Sequence, residues 1–449
     1  MSIPTLSNEL YIEIFRHLDA KSLSEISLCC HRFYDLVPPI FYRTYVQQDY
    51  DYEPDPFIRT IFEKPHLSRY VKHFTGHGGV GIMASLPETH RSLIREGLLP
   101  NYFDHQDVVE NWCEDAFVEE SWDAVTAILL LNFASSLESI TMLSYGDSEI
   151  VNGPDNVHIN TVLRKMRELQ DNSKSTIPCM AKVRKVHLQS DKSLIEIQIA
   201  LILPFLRLKS VREVTVEQLG NHFGTDYDLF TGLPLHHHIT DLSLKRCDID
   251  DVAFRNFVQS FPSLKRFHLE HTGGYNERPP PVIGDHLAHL KHCLENLTID
   301  APFWRQSQHG GWIDDESDDE DDYEGSDLYD ELPSMIGSLG QFQKLTKVKI
   351  ACDILVRKGT CWDKPHHVEA FVKSLPPFLE HLAILSCRIR GVEAGLSLLS
   401  QKPAHLKTLK LTVCPSFRGE RRWGTVTIES LEKMALEKGI KFAWEVLED

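Results

Sequence analysis

Ile239–Leu269, ITDLSLKRCDIDDVAFRNFVQSFPSLKRFHL, opens and closes on the same phrase. Ile239, Leu242 and Leu244 share the spacing L-x-x-L-x-L with Leu264, Phe267 and Leu269. In an extended segment side chains alternate between faces, so the fourth and sixth positions of the phrase turn inward and the third, fifth and seventh turn out. Between the two phrases the period changes. From Asp250 to Ser260, Val252, Phe254, Phe257 and Val258 recur at helical spacing. Such a strand-and-helix unit has an apolar edge that only a neighbour on each side can cover.

The phrase recurs nine times, with Ile, Val, Phe or Met allowed for Leu. The other copies are Leu137-Ile140-Met142, Val183-Val186-Leu188, Val211-Val214-Val216, Leu294-Leu297-Ile299, Leu345-Val348-Ile350, Leu379-Leu382-Ile384 and Leu406-Leu409-Leu411. Successive central residues lie 25 to 34 positions apart, apart from two gaps of 46 and 51 that are insertions or hide degenerate copies. Asn160 to Leu169 is a second helix-like stretch between copies. This period resembles that of leucine-rich repeats. The expected fold is α+β or α/β repeat in class: an irregular, curved leucine-rich-repeat-like solenoid over residues 70–449. Cys247, Cys387 and Cys414 fall five residues after a central position. Leucine-rich repeats favour Asn or Cys there, which implies buried side chains at the turn leaving the strand rather than catalysis.

The N-terminus has another texture. Leu6–Val37, LSNELYIEIFRHLDAKSLSEISLCCHRFYDLV, reads as two short amphipathic helices. Ser7 can cap the first, with Glu9 in its positive first turn. Leu10, Ile14, Phe15 and Leu18 share one face. Ser22 and Glu25 form an S-x-x-E capping box for the second, which carries Leu23, Ile26, Cys30, Phe33 and Val37. Pro38-Pro39 ends it. Segments below about 40 residues seldom fold unaided, so this one leans on a partner or on the chain behind it.

Leu6-Ser7-Asn8-Glu9-Leu10, Ile14-Phe15 with Leu18, Leu23, and Leu28-Cys29-Cys30-His31-Arg32-Phe33 together resemble an F-box. Ser7 stands where that family usually has proline, and Pro4 lies three residues earlier. The resemblance implies docking onto the Skp-type adaptor of a cullin–RING ubiquitin ligase through Leu6, Leu10, Ile14, Phe15, Leu18, Leu23, Ile26, Cys30 and Phe33. The plainer alternative is a helical hairpin packed on its own protein. The expected organisation is a helical module over 1–46, a connector rich in Tyr and Pro over 47–69, and the solenoid over 70–449. Ile40, Phe41, Tyr45 and Val46 would form a third short helix closing the module. An acidic insertion is expected at about 305–335 within the solenoid.

Composition bounds the rest. At 449 residues the chain is too long for one compact core, and 42% hydrophobic with 25% charged residues is ordinary for a globular protein. The ten cysteines include no C-x-x-C pair, which suits a reducing compartment. No apolar run approaches about 18 residues, and no basic-then-apolar leader opens the sequence. The expectation is a cytoplasmic or nuclear protein without membrane association. The formal net charge of −18 argues against non-specific nucleic-acid binding.

Twelve acids and no base lie in residues 314–331, DDESDDEDDYEGSDLYDE. That composition reads as a solvated, disordered loop. A sharper possibility is a reversible cover over Lys347 and Lys349, deepened by phosphate if an acidophilic kinase modifies Ser317. On the outward strand positions Lys185, Lys245, Arg266, Lys347, Lys349 and Lys410 oppose Glu213, Glu217, Asp241, Glu270 and Asp300, with His187, His268 and His381 interleaved. The basic residues and histidines of this row are the candidate surface for a protein substrate. The alternative is a solvated strand face.

Catalytic constellations are absent from the text. It has no G-x-S-x-G, no G-x-x-x-x-G-K-[ST] and no H-E-x-x-H. Gly76–Gly81 matches G-x-G-x-x-G after a weak strand at Val71–Thr75, but Lys72 and His73 make that strand too polar for a buried parallel one. A glycine loop after a solenoid strand explains it equally well. His286, His289 and His292-Cys293 share one face of an expected helix and are of a type to bind zinc, yet helix-borne histidines on a repeat surface are commoner. No metal and no cofactor is therefore expected. The reading is a non-enzymatic substrate-recognition subunit of an SCF-type ligase. Its alternative is a scaffold not linked to ubiquitination, and an enzyme using the glycine loop comes third.

Overall fold

The computed structural model describes residues 6–47, 56–77, 87–103, 106–117, 122–144, 157–172, 177, 179–190, 197, 199–219, 234–247, 249, 251–271, 283–300, 338–351, 372–387, 395, 397–401, 404–413 and 428–446. Two compact units divide the chain, Met1–Thr215 and Val216–Asp449.

The first unit opens with four short helices: α1 (Asn8–Phe15), α2 (Ala20–Ser27), α3 (His31–Leu36) and α4 (Pro38–Phe41). Ser7 caps α1 as expected, its hydroxyl accepting from the Leu10 amide at 3.5 Å. The cap of α2 is Asp19, whose carboxylate accepts from the Ser22 amide at 2.7 Å, so the capping box expected at Ser22 and Glu25 is replaced by an acid three residues earlier. The bonds from Ser22 hold the Asp19 carboxyl below the usual carboxylate range. Extended backbone at Cys30 separates α2 from α3, so the expected second helix is two helices. Helix α3 ends at Leu36, just before Pro38-Pro39, as expected, and the proline pair also opens α4, where a proline in the first turn forfeits no hydrogen bond.

Phe15, Leu23 and Val37 form the core of this bundle, with Tyr11, Leu18, Ile26, Phe33, Leu36, Ile40 and Phe41 packed around them. The Phe15 and Phe33 rings meet edge to face at 5.3 Å, and Tyr11 meets Phe33 at 5.0 Å. The third helix expected over Tyr45 and Val46 is instead a strand, β1 (Thr44–Val46), paired parallel with β2 (His73–His77). Between them, inside the expected connector, lies α5 (Pro56–Glu63), which buries Ile58, Ile61 and Phe62. Both β1 and α5 lie in the same compact unit, Met1–Thr215. The buried Tyr45 ring lies 5.8 Å from Phe74 and 5.9 Å from Phe133, so the module's last strand shares the unit's core.

The unit continues through α6 (Glu88–Ser92), α7 (Gln106–Phe117), α8 (Trp122–Phe133), β3 (Ser139–Ser144), α9 (Val157–Asp171), β4 (Lys185–Ser190), α10 (Ile199–Leu206) and β5 (Glu213–Glu217). Its strands stand in sequence order, and β1 with β2, β2 with β3 and β3 with β4 pair parallel. Because β3 pairs directly with β4, the 46-residue gap between their copies is an insertion and hides no strand.

The second unit holds β6 (Asp241–Cys247), α11 (Asp251–Gln259), β7 (Arg266–His271), α12 (Ile283–His286), β8 (Asn296–Asp300), β9 (Lys347–Ala351), β10 (His381–Cys387), β11 (Thr408–Val413), α13 (Ile428–Lys438) and β12 (Lys441–Val446). These strands also pair parallel in sequence order. All nine phrases lie on strands, and the direct β8–β9 pairing makes the 51-residue gap an insertion too. Leu242, Leu244, Phe267, Leu269, Leu297, Ile299, Val348, Ile350, Leu382, Ile384, Leu409 and Leu411 are buried, as the alternation predicts. Each unit is therefore a solenoid-like α/β arrangement. Cys247 is buried with its thiol 3.2 Å from the Lys245 carbonyl, the structural place expected for it. The side chains of Cys387 and Cys414 lie outside the described residues.

Candidate adaptor-docking face and strand-face surface

The F-box-like residues divide into two sets. Phe15 is 3% exposed and Leu23 5%, so these two expected docking residues are turned inward and hold the bundle together. Leu6, Leu18, Ile26 and Phe33 are half-buried around that core, and Cys30 is exposed. Leu10 (53%) and Ile14 (47%) stand one helical turn apart on the open side of α1. Leu28 (82%), part of the F-box-like motif but not among the expected docking residues, and Tyr34 are also exposed, and neither falls on the spacing that marks the core stripe. Covering a Leu or Ile side chain is worth about 1.5–3 kcal/mol, so this face gains from a partner.

Arg32 fixes the bundle's geometry. Its guanidinium donates to the Leu6 carbonyl at 2.7 Å and to Asn8 Oδ1 at 2.7 and 2.9 Å, and lies 4.9 Å from the centre of the Tyr11 ring. It thereby ties α3 to the start of α1. An isolated basic residue in a short motif gives no hint of that role in the sequence.

On the strands, most outward charges are answered by the next strand. Lys185 meets Glu213 at 2.7 Å, Lys245 and Arg246 meet Glu217 at 3.1 and 2.7 Å, Arg266 meets Asp241, and Lys410 meets Glu445 at 2.8 Å. His268 pairs with the Ser243 hydroxyl at 3.1 Å and His381 with that of Thr408 at 2.8 Å. Burial, with Lys349 and Lys245 nearby, holds the His268 imidazole below its ordinary pKa. Burial and the Asp300 carboxylate push Glu270 above the usual range. His187 is half-buried on β4. Lys347 and Lys349 are exposed, and among the described residues neither has an ion-pair partner. The structure therefore separates the expected row into satisfied pairs and these two lysines.

The histidine cluster considered for zinc is not formed. His286 ends a four-residue helix, so the expected common helical face is not formed. His289 Nδ1 lies 3.0 Å from the His286 carbonyl, His292 Nδ1 lies 3.3 Å from Gln343, and the Cys293 thiol approaches the Pro262 carbonyl at 3.6 Å. Among the described residues no group of three such side chains converges as metal ligands would. Gly76 and His77 belong to β2, and a Cβ at Gly76 would lie 2.8 Å from the Phe74 ring, which gives that glycine a packing role. The rest of the glycine loop, Ser317 and the acidic stretch lie outside the described residues.

No curated protein shows significant similarity to this chain. Residues 3–38 match the F-box domain, over the helices whose packing is described above. The chain thus carries an F-box domain at its N-terminal end, which points to the general role of such domains as substrate-recognition subunits that bind Skp-type adaptors in SCF-type ubiquitin ligases.

Proposed function

We propose that this protein is a substrate receptor of a cullin–RING ubiquitin ligase. Leu10 and Ile14, with the exposed Leu28 and Tyr34, dock the adaptor, and the outward face of a leucine-rich-repeat-like solenoid holds a protein substrate. The observation that carries this reading is the exposed apolar pair on α1 of a bundle matching the F-box domain. The work is positional: the receptor brings a substrate into the complex and performs no bond chemistry itself, in the cytoplasm or nucleus.

The test is co-purification of the full chain with a Skp-type adaptor, wild type beside Leu10→Asp and Ile14→Asp. A charge set into an apolar interface costs several kcal/mol, enough to dissolve a micromolar complex. Capture by wild type and loss in both variants is the expected result. Capture undiminished in both would refute the docking face. Turnover of captured proteins then separates a ligase receptor from a scaffold.

A further inference from the structure

We infer that the outward face of β9–β12 is a docking surface for a carboxylate-rich segment of a partner protein, held by Lys347, Lys349, Lys410 and Lys441. The inference rests on the strand-face reading above and names the chemistry of the substrate. Strand register places Lys347, His381, Thr408 and Lys441 side by side in one row, and Lys349, Ala383, Lys410 and Ala443 in the next. Neighbouring strands are about 4.8 Å apart and successive outward positions about 7 Å, so four ammonium groups frame the small side chains of Ala383 and Thr408.

Charge is distributed unevenly between this face and the others. On β4–β7 the cations Lys185, Lys245 and Arg266 each have a carboxylate within reach. Across β9–β12 the single carboxylate at an outward position is Glu445, already bound by Lys410 at 2.8 Å and by the Thr412 hydroxyl at 3.1 Å. Among the described residues Lys347, Lys349 and Lys441 have no ion-pair partner. Lys347 and Lys349 stand on the same side of β9 about 7 Å apart and repel one another, with Glu445 as the carboxylate whose charge reaches Lys349.

A bound acidic segment would offset that repulsion. An extended peptide with acids at alternate positions repeats at about 7 Å, the spacing from Lys347 to Lys349. Lysine's flexible point charge suits clustered carboxylates without a fixed bidentate geometry, and the small residues between leave room for a backbone to approach. The chain's own residues 314–331 carry the same chemistry and are the competing occupant.

Fluorescence anisotropy on the purified full chain decides the matter, with a labelled peptide of alternating Glu and Ala as probe. Wild type is expected to bind and to weaken as salt rises. The double variant Lys347→Glu/Lys349→Glu should weaken binding by about tenfold or more, whereas Lys185→Glu, whose partner lies on another strand pair, should not. Both lysines are exposed, so thermal melting confirms that the double variant is folded. Binding by the double variant equal to wild type, an equal loss in Lys185→Glu, or equal binding of a single-stranded oligonucleotide would each overturn the assignment. Peptide binding that emerges only when residues 314–331 are deleted assigns the surface to the chain's own acidic stretch and overturns it too. Adaptor capture is read separately, so failure of one reading leaves the other standing.

Discussion

Phe15 and Ile14 are adjacent in sequence, and their substitutions should have opposite consequences. Phe15 is 3% exposed and touches Leu23 and Val37, with Tyr11 and Phe33 rings centred 5.9 and 5.3 Å away. Phe15→Ala removes a buried ring from a core of three fully buried side chains, at a cost of about 3–5 kcal/mol. Since about 1.4 kcal/mol is a factor of ten, this multiplies the open population of the bundle about a thousandfold. Ile14 is 47% exposed and next to last in α1. Ile14→Asp loses little packing, and a carboxylate near a helix C-terminus adds a few tenths, so about 1 kcal/mol in all. Hydrogen exchange of amides 8–41, run beside adaptor capture, reads both effects. The expected result is collapse of protection in Phe15→Ala, near-native protection in Ile14→Asp, and loss of capture in Ile14→Asp. Equal protection in the two variants, or capture surviving Ile14→Asp, would refute the division into core and docking face.

Other outcomes follow from single contacts. Asp19→Ala should cost about 1 kcal/mol by uncapping α2, whereas Glu25→Ala should be nearly neutral in chemical denaturation; the reverse order would restore the capping box at Ser22 and Glu25. Asp123 is buried, and its two carboxylate oxygens accept the amides of His158 at 2.7 Å and Ile159 at 2.9 Å. Asp123→Ala should therefore cost about 2 kcal/mol or more, measured by thermal unfolding. His268 is less basic in the fold than in the unfolded chain. The unfolded state then binds the extra proton first, and stability from this residue falls as pH drops below about 6.5. Melting temperatures of wild type and His268→Gln should converge, or cross in favour of the variant, between pH about 7.5 and 5.5; a gap independent of pH would exclude the residue as a source.

Where the sequence carried a repeated signal, the structure follows it. Each copy of the phrase pairs a strand period with a buried fourth residue and, except at the half-buried Met142, a buried sixth, and burial of those residues is nearly all the physics a solenoid strand needs. Two strands outside the nine copies, β2 and β12, lack part of that signal. In β2 the sixth position is Gly76, and in β12 the register sets Phe442 against Leu409 and leaves Gly439, at φ +72°, where the phrase begins. In β2, which has a strand on each side, the Phe74 ring fills the space a side chain at position 76 would need, whereas β12 is the last strand and has a neighbour on one side only. The start of α2 also differs from the expected one: Asp19 caps it in place of Ser22, since a carboxylate accepts from a first-turn amide as readily as a hydroxyl does.

Taken alone, the sequence determined the strand-face alternation, the positions of nine strands and the helical F-box stretch, because periodicity and spacing are local properties of the chain. Only the tertiary structure decided which members of that stretch face inward. Phe15 and Ile14 both fit an apolar stripe, and the packing of α3 against α1 through Phe33 and Arg32 selects Phe15 for the core and leaves Ile14 outside. It likewise decided which outward lysines are spoken for, since Lys185 finds Glu213 and Lys410 finds Glu445 across strands, while Lys347 and Lys349 lie beside Asn296, Thr298, His381 and Ala383, none of them acidic. Such pairings join residues about 28 to 35 positions apart in sequence, a separation that only strand register can bridge.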